Sequence, residues 1–330
     1  MNREIARSGL MLVVMSLLVL AAVTGAAAQT VLRLGHCCDT ESPFQKTAER
    51  WGELIAKRTN GQVTIKVYPA VQLGSEKDVI EGLRIGTVDA TVATDAPLAG
   101  LVPAFMVTNL PFAFANYDEA HKFLDGRGGT LLLKRLEAVG IKGFGFIDTG
   151  FRSISNNKRP VTRPDDLKGL KIRVLESPLV MATMNAMGAT GVPMAWGEAV
   201  PALKQGVVDG VSIGTTYYLT LKMWELVKYL TWTNEIYSSG VIMMSLQRFN
   251  SFPENVRNII TESAVEAIPY GREVTQKLEE GVTDKLRQRG MIINTIDPNT
   301  FRPKVTAVWN EFESKIGKDV MDELRKAVSK

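Results

Sequence analysis

One phrase of this chain occurs twice, and it restricts the fold more than any other feature. Leu83-Arg-Ile-Gly86-Thr-Val-Asp89-Ala90 returns as Leu203-Lys-Gln-Gly206-Val-Val-Asp209-Gly210 in the second half. Each copy reads as a helix end, a glycine stop and the start of a strand, because glycine takes the left-handed backbone that ends a helix at no steric cost. The register extends upstream: Asp78 and Glu198 share an offset, and Glu76 pairs with Trp196 at what read as two helix beginnings. So short a phrase can recur by chance. The shared context favours two lobes of similar construction, one in each half.

The residues around the first copy supply the fold class. Alternation over 31–35 predicts a strand, and Phe44, Ala48, Trp51, Leu54 and Ile55 recur at helical spacing over 44–58. Residues 63–68 read as a second strand. Ser75-Glu-Lys-Asp78 is a helix-start pattern, its helix ends near Ile85, and 88–93 read as a third strand. This is the βαβ rhythm of an α/β domain. Further on, residues 253–289 place Val256, Ile260, Ala264, Ala267, Leu278 and Leu286 at helical spacing. A helix of that length extends roughly 50 Å, enough to cross both lobes. Pro269 interrupts it, and the pattern fits both a kinked helix and two helices broken at Pro269.

The N-terminus reads as an address. Arg3 and Arg7 precede an uncharged run whose apolar heart spans 10–22, and the stretch closes on Ala26-Ala27-Ala28. That is the layout of a signal peptide with an A-x-A cleavage site. The apolar stretch falls short of the roughly 20 residues that span a bilayer. No cysteine stands at the cleavage site to take a lipid, so a soluble periplasmic chain beginning near Gln29 is expected. The remainder is longer than one compact core usually holds, which predicts two domains. The expected division is 1–28 signal peptide, 29–150 plus 239–278 for lobe I, and 151–238 plus 279–330 for lobe II.

Charge and cysteine use narrow the function classes. The formal net charge is +4 with no basic block, which does not point to nucleic acid and weakly suits an anionic ligand. The only cysteines are neighbours, Cys37 and Cys38. Adjacent Cα atoms lie about 3.8 Å apart, whereas disulfides usually need roughly 4.4–6.8 Å, so a structural staple is not expected. A vicinal disulfide and a pair of free thiols both stay open. With only His36 and His121 in the chain, a multi-histidine metal site is not expected, and no cofactor is called for.

Several further phrases occur in a telling order: Tyr68-Pro-Ala-Val-Gln-Leu-Gly74, Leu110-Pro-Phe112, Gly150-Phe-Arg152-Ser-Ile-Ser-Asn156-Asn157, Asp166-Leu-Lys-Gly-Leu-Lys-Ile-Arg173-Val174 and Pro193-Met-Ala-Trp196-Gly-Glu198. From about Val31 to the C-terminal helices the chain resembles the DctP-type binding proteins of tripartite ATP-independent periplasmic (TRAP) transporters. The resemblance implies an α/β, two-lobed periplasmic binding protein of the type II-like flytrap kind, with a long kinked helix crossing both lobes. It implies a monomer that closes on a small organic acid, performs no chemistry on it, and delivers it to TRAP membrane subunits.

The resemblance also assigns the site. Arg173 is implied to pair with a ligand carboxylate, with Arg152 assisting. The chemistry agrees, because a guanidinium presents a planar fork of donors that matches a carboxylate. Alternation of Leu170, Ile172 and Val174 with Lys171 and Arg173, taken alone, puts Arg173 on the wet face of a half-buried strand. Trp196 matches an aromatic packed on the ligand, although a tryptophan before a helix is equally a packing residue. Glu76 matches an acidic cleft position, and the helix dipole accounts for it as well. Cys37 and His36 fall at a first-strand pocket position, with Thr94 and Asp95 on the rim. Glu176, Ile213, Gly214, Thr215 and Tyr217 complete the candidate set.

One departure bears on specificity. Many sugar-acid binders of this family show Gln-Glu-Asn-Pro after Val-Asp-Gly, and this chain has Val211-Ser212-Ile213-Gly214. Ile213 cannot donate the hydrogen bond that an asparagine gives, which tilts the expectation toward a monocarboxylate. Tyr217 and Tyr218 fit both the pocket wall and the core. Gly210-Val-Ser212-Ile-Gly214 also matches G-x-S-x-G, but the hydrolase fold needs a histidine downstream, and both histidines lie upstream. An enzyme is therefore not expected. An ABC-type binding protein or a periplasmic sensor input is the alternative, since fold alone does not separate these.

Overall fold

The computed structural model describes residues 29–328; the expected signal peptide lies outside the described residues. In chain order the first lobe is built from β1 (Thr30–Gly35), α1 (Pro43–Arg58), β2 (Val63–Tyr68), α2 (Glu76–Ile85) and β3 (Ala90–Thr94), then α3 (Tyr117–Leu124) and α4 (Arg127–Glu137). The long strand β4 (Ile141–Asn156) leads into the second lobe, formed by β5 (Lys171–Val174), α5 (Pro178–Met187), β6 (Thr190–Pro193), α6 (Trp196–Lys204) and β7 (Gly210–Gly214). A second long strand, β8 (Tyr229–Ser245), returns to the first lobe. It is followed by α7 (Glu254–Glu279), β9 (Ile292–Thr295), α8 (Pro298–Ile316) and α9 (Lys318–Ala327).

The nine strands among the described residues join one sheet, in the order β2-β1-β3-β8-β4-β7-β5-β6, with β9 beside β8. In the first lobe β1 lies parallel between β2 and β3; in the second, β5 lies parallel between β6 and β7. The antiparallel pair β4 and β8 serves both lobes. The end of β8 pairs with β3, and the end of β4 pairs with β7. Their mutual register slips at Gly143/Gly145, Asp148/Gly150 and Arg152/Ile154. Such irregularities bend and twist a strand pair, and they fall where the sheet passes from lobe to lobe.

The repeated phrase is a repeated structure. Gly86 and Gly206 both take left-handed backbone, with φ of 79° and 71°. The Asp89 carboxylate accepts the Arg33 amide at 2.8 Å, and Asp209 accepts the Lys171 amide at 2.9 Å. Each aspartate amide donates in turn to the carbonyl of that same residue, at 3.1 and 2.7 Å. The aspartate thus ties the helix-to-strand turn to the central strand of its own lobe. With Arg33 equivalent to Lys171, Arg173 occupies the place of Gly35, and Leu175 that of Cys37. These are the carboxyl ends of parallel strands, where open α/β sheets hold their ligands.

The long helix α7 is not broken into two at Pro269. It runs without a break through Pro269 to Glu279, about 39 Å at 1.5 Å per residue, and stops where Gly281 takes φ 64° before a separate turn of helix at Val282–Gln288. Proline removes one bond to the residue four back. Here that residue is Val265, which is 54% exposed, so the lost bond lies on the outer face. The inner face packs on α1 and β4, with the Trp51 indole donating to the Ile260 carbonyl at 3.0 Å.

Candidate functional site

A cavity lies between the carboxyl ends of the two parallel strand sets. From the first lobe it is lined by Cys37 and Cys38 at the exit of β1, Glu76 at the first position of α2 and Thr94 at the end of β3. The second lobe supplies Arg173 and Leu175 from β5 and its exit, Trp196 from the first position of α6, and Ile213 from β7. Arg152 enters from the crossing strand β4, and Tyr217 and Leu221 close the wall. Glu76 and Trp196, paired by the repeat, face the same space from opposite lobes. The lobes touch at the mouth, where the Lys77 ammonium meets the Glu176 carboxylate at 2.8 Å.

Both guanidiniums are buried, each 2% exposed. Arg173 donates through Nε and Nη2 to the Met194 carbonyl at 3.0 and 2.8 Å, and its guanidinium carbon sits 5.4 Å from the Trp196 ring centre. These contacts fix the plane of the fork. Among the described residues Nη1 has no hydrogen-bond partner, and Arg173 makes no ion pair. Burial, then repulsion from Arg152, pushes its pKa down to about 10. Arg152 donates to the hydroxyl and carbonyl of Ser212, and burial lowers its pKa too. The Ser212 hydroxyl donates onward to Glu235 at 2.6 Å, and Thr233 also donates to that carboxylate. Glu235 is fully buried, and its pKa is raised by desolvation. It answers the charge of Arg152 through an intervening hydroxyl, not by contact. Removing charges from water costs several kcal/mol per ion unless they are compensated, so two close guanidiniums without a bound carboxylate favour the entry of an anion.

The opposite wall is held by local backbone chemistry. Ser75 and Asp78 form a capping box that starts α2 and so positions Glu76. The Glu76 carboxylate accepts both the amide and the hydroxyl of Thr94, at 2.7 and 2.8 Å. Cys37 and Cys38 are free thiols, with sulfurs 3.2 Å apart, and the Cys38 thiol donates to the Tyr217 hydroxyl at 3.6 Å. Hydrogen bonding to Cys38, then burial, holds the Cys37 pKa well above the usual thiol range. Burial likewise raises the Tyr217 phenol, so Cys37 and Tyr217 stay uncharged.

Of the residues expected from sequence, Arg173, Arg152, Trp196, Glu76, Cys37, Thr94, Ile213 and Tyr217 line the cavity. Burial of Arg173 overturns the reading of alternation as a wet face: α5 packs on β5 and the cavity encloses Arg173, so from Ile172 to Val174 both faces are inside while Lys171 stays exposed. Five residues do not line it. His36 is buried behind the wall, its Nδ1 accepting the Cys38 amide at 3.2 Å and its Nε2 bonded to Gln45 at 2.7 Å. Asp95 leaves the rim for a buried network, where it accepts from Ser239 and Asn109, because the chain turns inward after β3. Glu176 stands at the mouth with Lys77. Gly214 and Thr215 pack on β4, Gly214 in register with Arg152 and the Thr215 hydroxyl on the Phe151 carbonyl. Tyr218 is core, donating to the Ser153 carbonyl.

Cys38, Leu175 and Leu221 line the cavity in addition to the set expected from sequence, and Glu235 backs it. The repeat held a signal for Leu175, which is the counterpart of Cys37. Nothing in the sequence marks Glu235, which reaches Ser212 only through strand pairing across β4. Ser212 itself has carboxylate and guanidinium partners and no imidazole, since His121 is engaged with Asp148. The G-x-S-x-G match is therefore not a hydrolase elbow.

Residues 34–315 match the model of DctP, bacterial extracellular solute-binding protein, family 7. The chain is 32% identical over 312 residues to the C4-dicarboxylate-binding periplasmic protein DctP of Rhodobacter capsulatus, covering 93% of each. Among solved structures, a TRAP periplasmic solute-binding protein from Polaromonas bound to D-erythronate superposes with TM-score 0.89 at 28% identity, covering 92% of this chain and all of that one. Another from Bordetella bronchiseptica, with density assigned to pantoate, gives 0.88 at 28% identity over 91% of this chain and all of that one.

Proposed function

The chain belongs to the DctP family of extracellular solute-binding proteins, and on that premise we propose that its cavity captures a small monocarboxylate with an apolar body. It is a TRAP-type binding protein for small organic acids and not an enzyme, and family membership replaces the ABC-type and sensor alternatives. Delivery to a TRAP permease follows from the family. The relatives' ligands include D-erythronate, pantoate and succinate, so an acid is common to them while its size and charge vary.

The observation that carries the monocarboxylate reading is the charge of the lining. Glu235 answers Arg152 from behind the wall through Ser212, and Glu76 is tied to Thr94, so Arg173 is the lining guanidinium with no carboxylate in contact and is left for one carboxylate. The rest of the wall is Leu175, Trp196, Ile213 and Leu221 with Cys37, Cys38, Thr94 and Tyr217. Arg173 receives the carboxylate at its unpartnered nitrogen, and Arg152 adds field and a second donor. A second carboxylate would meet Glu76 or an apolar side chain, and burying an unpaired charge is costly. A polyhydroxylated acid would find no hydrogen-bonding group in the Ile213 side chain.

Because residues from both lobes line the cavity, the acid binds the closed arrangement better than the open one. That difference is the whole driving force for closure. The two-lobe division expected from sequence, an open acid-free form, and export through the N-terminal signal peptide to the periplasm belong to the same proposal. Thermal-shift and calorimetric titration of the mature chain with pantoate, lactate, mandelate and benzoate, against succinate, malate and galactonate, tests it. The monocarboxylates should stabilise the fold by about 2.7 kcal/mol at a hundredfold excess over Kd. Tighter binding of succinate than of all four would overturn the single carboxylate, and tighter binding of galactonate, a polyhydroxylated monocarboxylate, would overturn the apolar body.

A further inference from the structure

We infer that Cys37 and Cys38 form a redox-active pair that closes to a vicinal disulfide when the cleft is open, and that this change lowers the affinity of the cavity for its acid. The affinity effect rests on the acid occupying the cavity as proposed above. The oxidation does not.

Geometry carries the inference. Both thiols line the ligand cavity, and their sulfurs already lie 3.2 Å apart. The bend that presents them is pinned from three sides. The His36 and Cys38 carbonyls accept the Val71 and Ala70 amides at 3.2 and 2.8 Å, and the Cys38 amide donates to His36 Nδ1 at 3.2 Å. The backbone therefore holds both side chains toward the same space, and bond formation needs the sulfurs to close to about 2.05 Å. With only these two cysteines in the chain, each is the other's sole intramolecular partner. A ring across adjacent Cα atoms is shorter than disulfides prefer, and a strained bond is more easily reduced, so this pair is suited to cycling instead of stapling.

The oxidant is a disulfide donor of the oxidising extracytoplasmic compartment. One thiol gives its proton to solvent and attacks a donor sulfur, and the departing donor thiolate takes up a proton. The second thiol then loses its proton and attacks the mixed disulfide, releasing the other donor thiolate, which is protonated. The pair loses two protons and two electrons, and the donor leaves as two thiols. Access decides when this happens. Cys37 and Cys38 are 7% and 5% exposed with the lobes in contact, so a donor reaches them only through an open cleft. Oxidation removes the Cys38 hydrogen that Tyr217 accepts and draws the two sulfurs together, reshaping one wall of the cavity. The coupling is reciprocal at equilibrium: if the oxidised protein binds the acid less tightly, the bound acid shifts the pair toward the thiols by the same factor.

The test treats the reduced mature chain with diamide, then denatures it, alkylates with iodoacetamide and measures intact mass. The untreated chain should carry two alkyl groups. The diamide-treated chain should carry none and weigh two hydrogens less as a monomer. The tightest acid of the titration panel should slow this loss at least tenfold, and the oxidised chain should bind that acid at least tenfold more weakly, with dithiothreitol restoring it. A Cys37→Ser/Cys38→Ser double variant should give one affinity with and without diamide. Full alkylation of acid-free protein after diamide overturns the inference, as does equal acid affinity in the two redox states. If no acid binds even the reduced chain, the function proposed above fails, and the oxidation is still decided by mass.

Discussion

Replacing Arg173 with lysine keeps the charge and removes the geometry. The guanidinium divides its work: Nε and Nη2 hold the Met194 carbonyl, the plane lies over Trp196, and Nη1 is left for the ligand. An ammonium is a single point and cannot hold Met194 and present a donor to a carboxylate in the same direction. The loss is one charged hydrogen bond, about 1.5–3 kcal/mol. At 1.4 kcal/mol per factor of ten this is an affinity loss of roughly 10- to 150-fold. Isothermal titration with the best acid of the panel measures it, and circular dichroism with thermal melting checks that the variant is folded. Arg173→Ala should lose more, because it also strands the Met194 carbonyl. A folded Arg173→Lys protein that binds within threefold of the parent would refute the clamp.

Glu235→Gln tests the relay behind Arg152. A carboxyl whose folded pKa is raised binds its proton more tightly when folded, so its contribution to stability is full below the unfolded value of about 4.3 and is lost as pH rises through the folded value. The variant lacks this loss, so its Tm should gain on the parent's as pH is raised from about 4 to 7, while acid affinity falls because Ser212 and Arg152 lose their anchor. A Tm difference independent of pH would argue against a buried ionisable Glu235. Ile213→Asn restores a donor at the cavity wall and should raise galactonate affinity relative to benzoate in the same titrations. Lys77→Ala breaks the half-exposed contact across the mouth, worth about 0.2–1 kcal/mol, and should speed acid release by up to about fivefold in stopped flow.

What was readable in the sequence was local or repeated. The capping box at Ser75, the glycine stops at Gly86 and Gly206 and the strand at 63–68 are written in neighbouring residues, and local chemistry settles them. The repeat made two similar lobes legible, and its register alone put Glu76 and Trp196 at equivalent helix starts. The family phrases added Arg152 and Arg173, which periodicity by itself would have sent to solvent. Alternation reports one face of a strand, and it misleads where a strand is covered on both.

Tertiary structure decided what lies between distant segments. Asp95 and His36 follow strands that aim at the cleft, yet the chain turns each of them behind the wall. Glu235 became part of the site because β4 and β8 slip in register and bring Ser212, Arg152 and a buried carboxylate together. Proline at 269 marked a break in the pattern, but packing on α1 and β4 carried the helix past it to Gly281. The division follows from range: hydrogen-bonded caps and turns depend on residues a few positions apart, whereas burial, charge compensation and cavity shape depend on which segments the sheet places side by side.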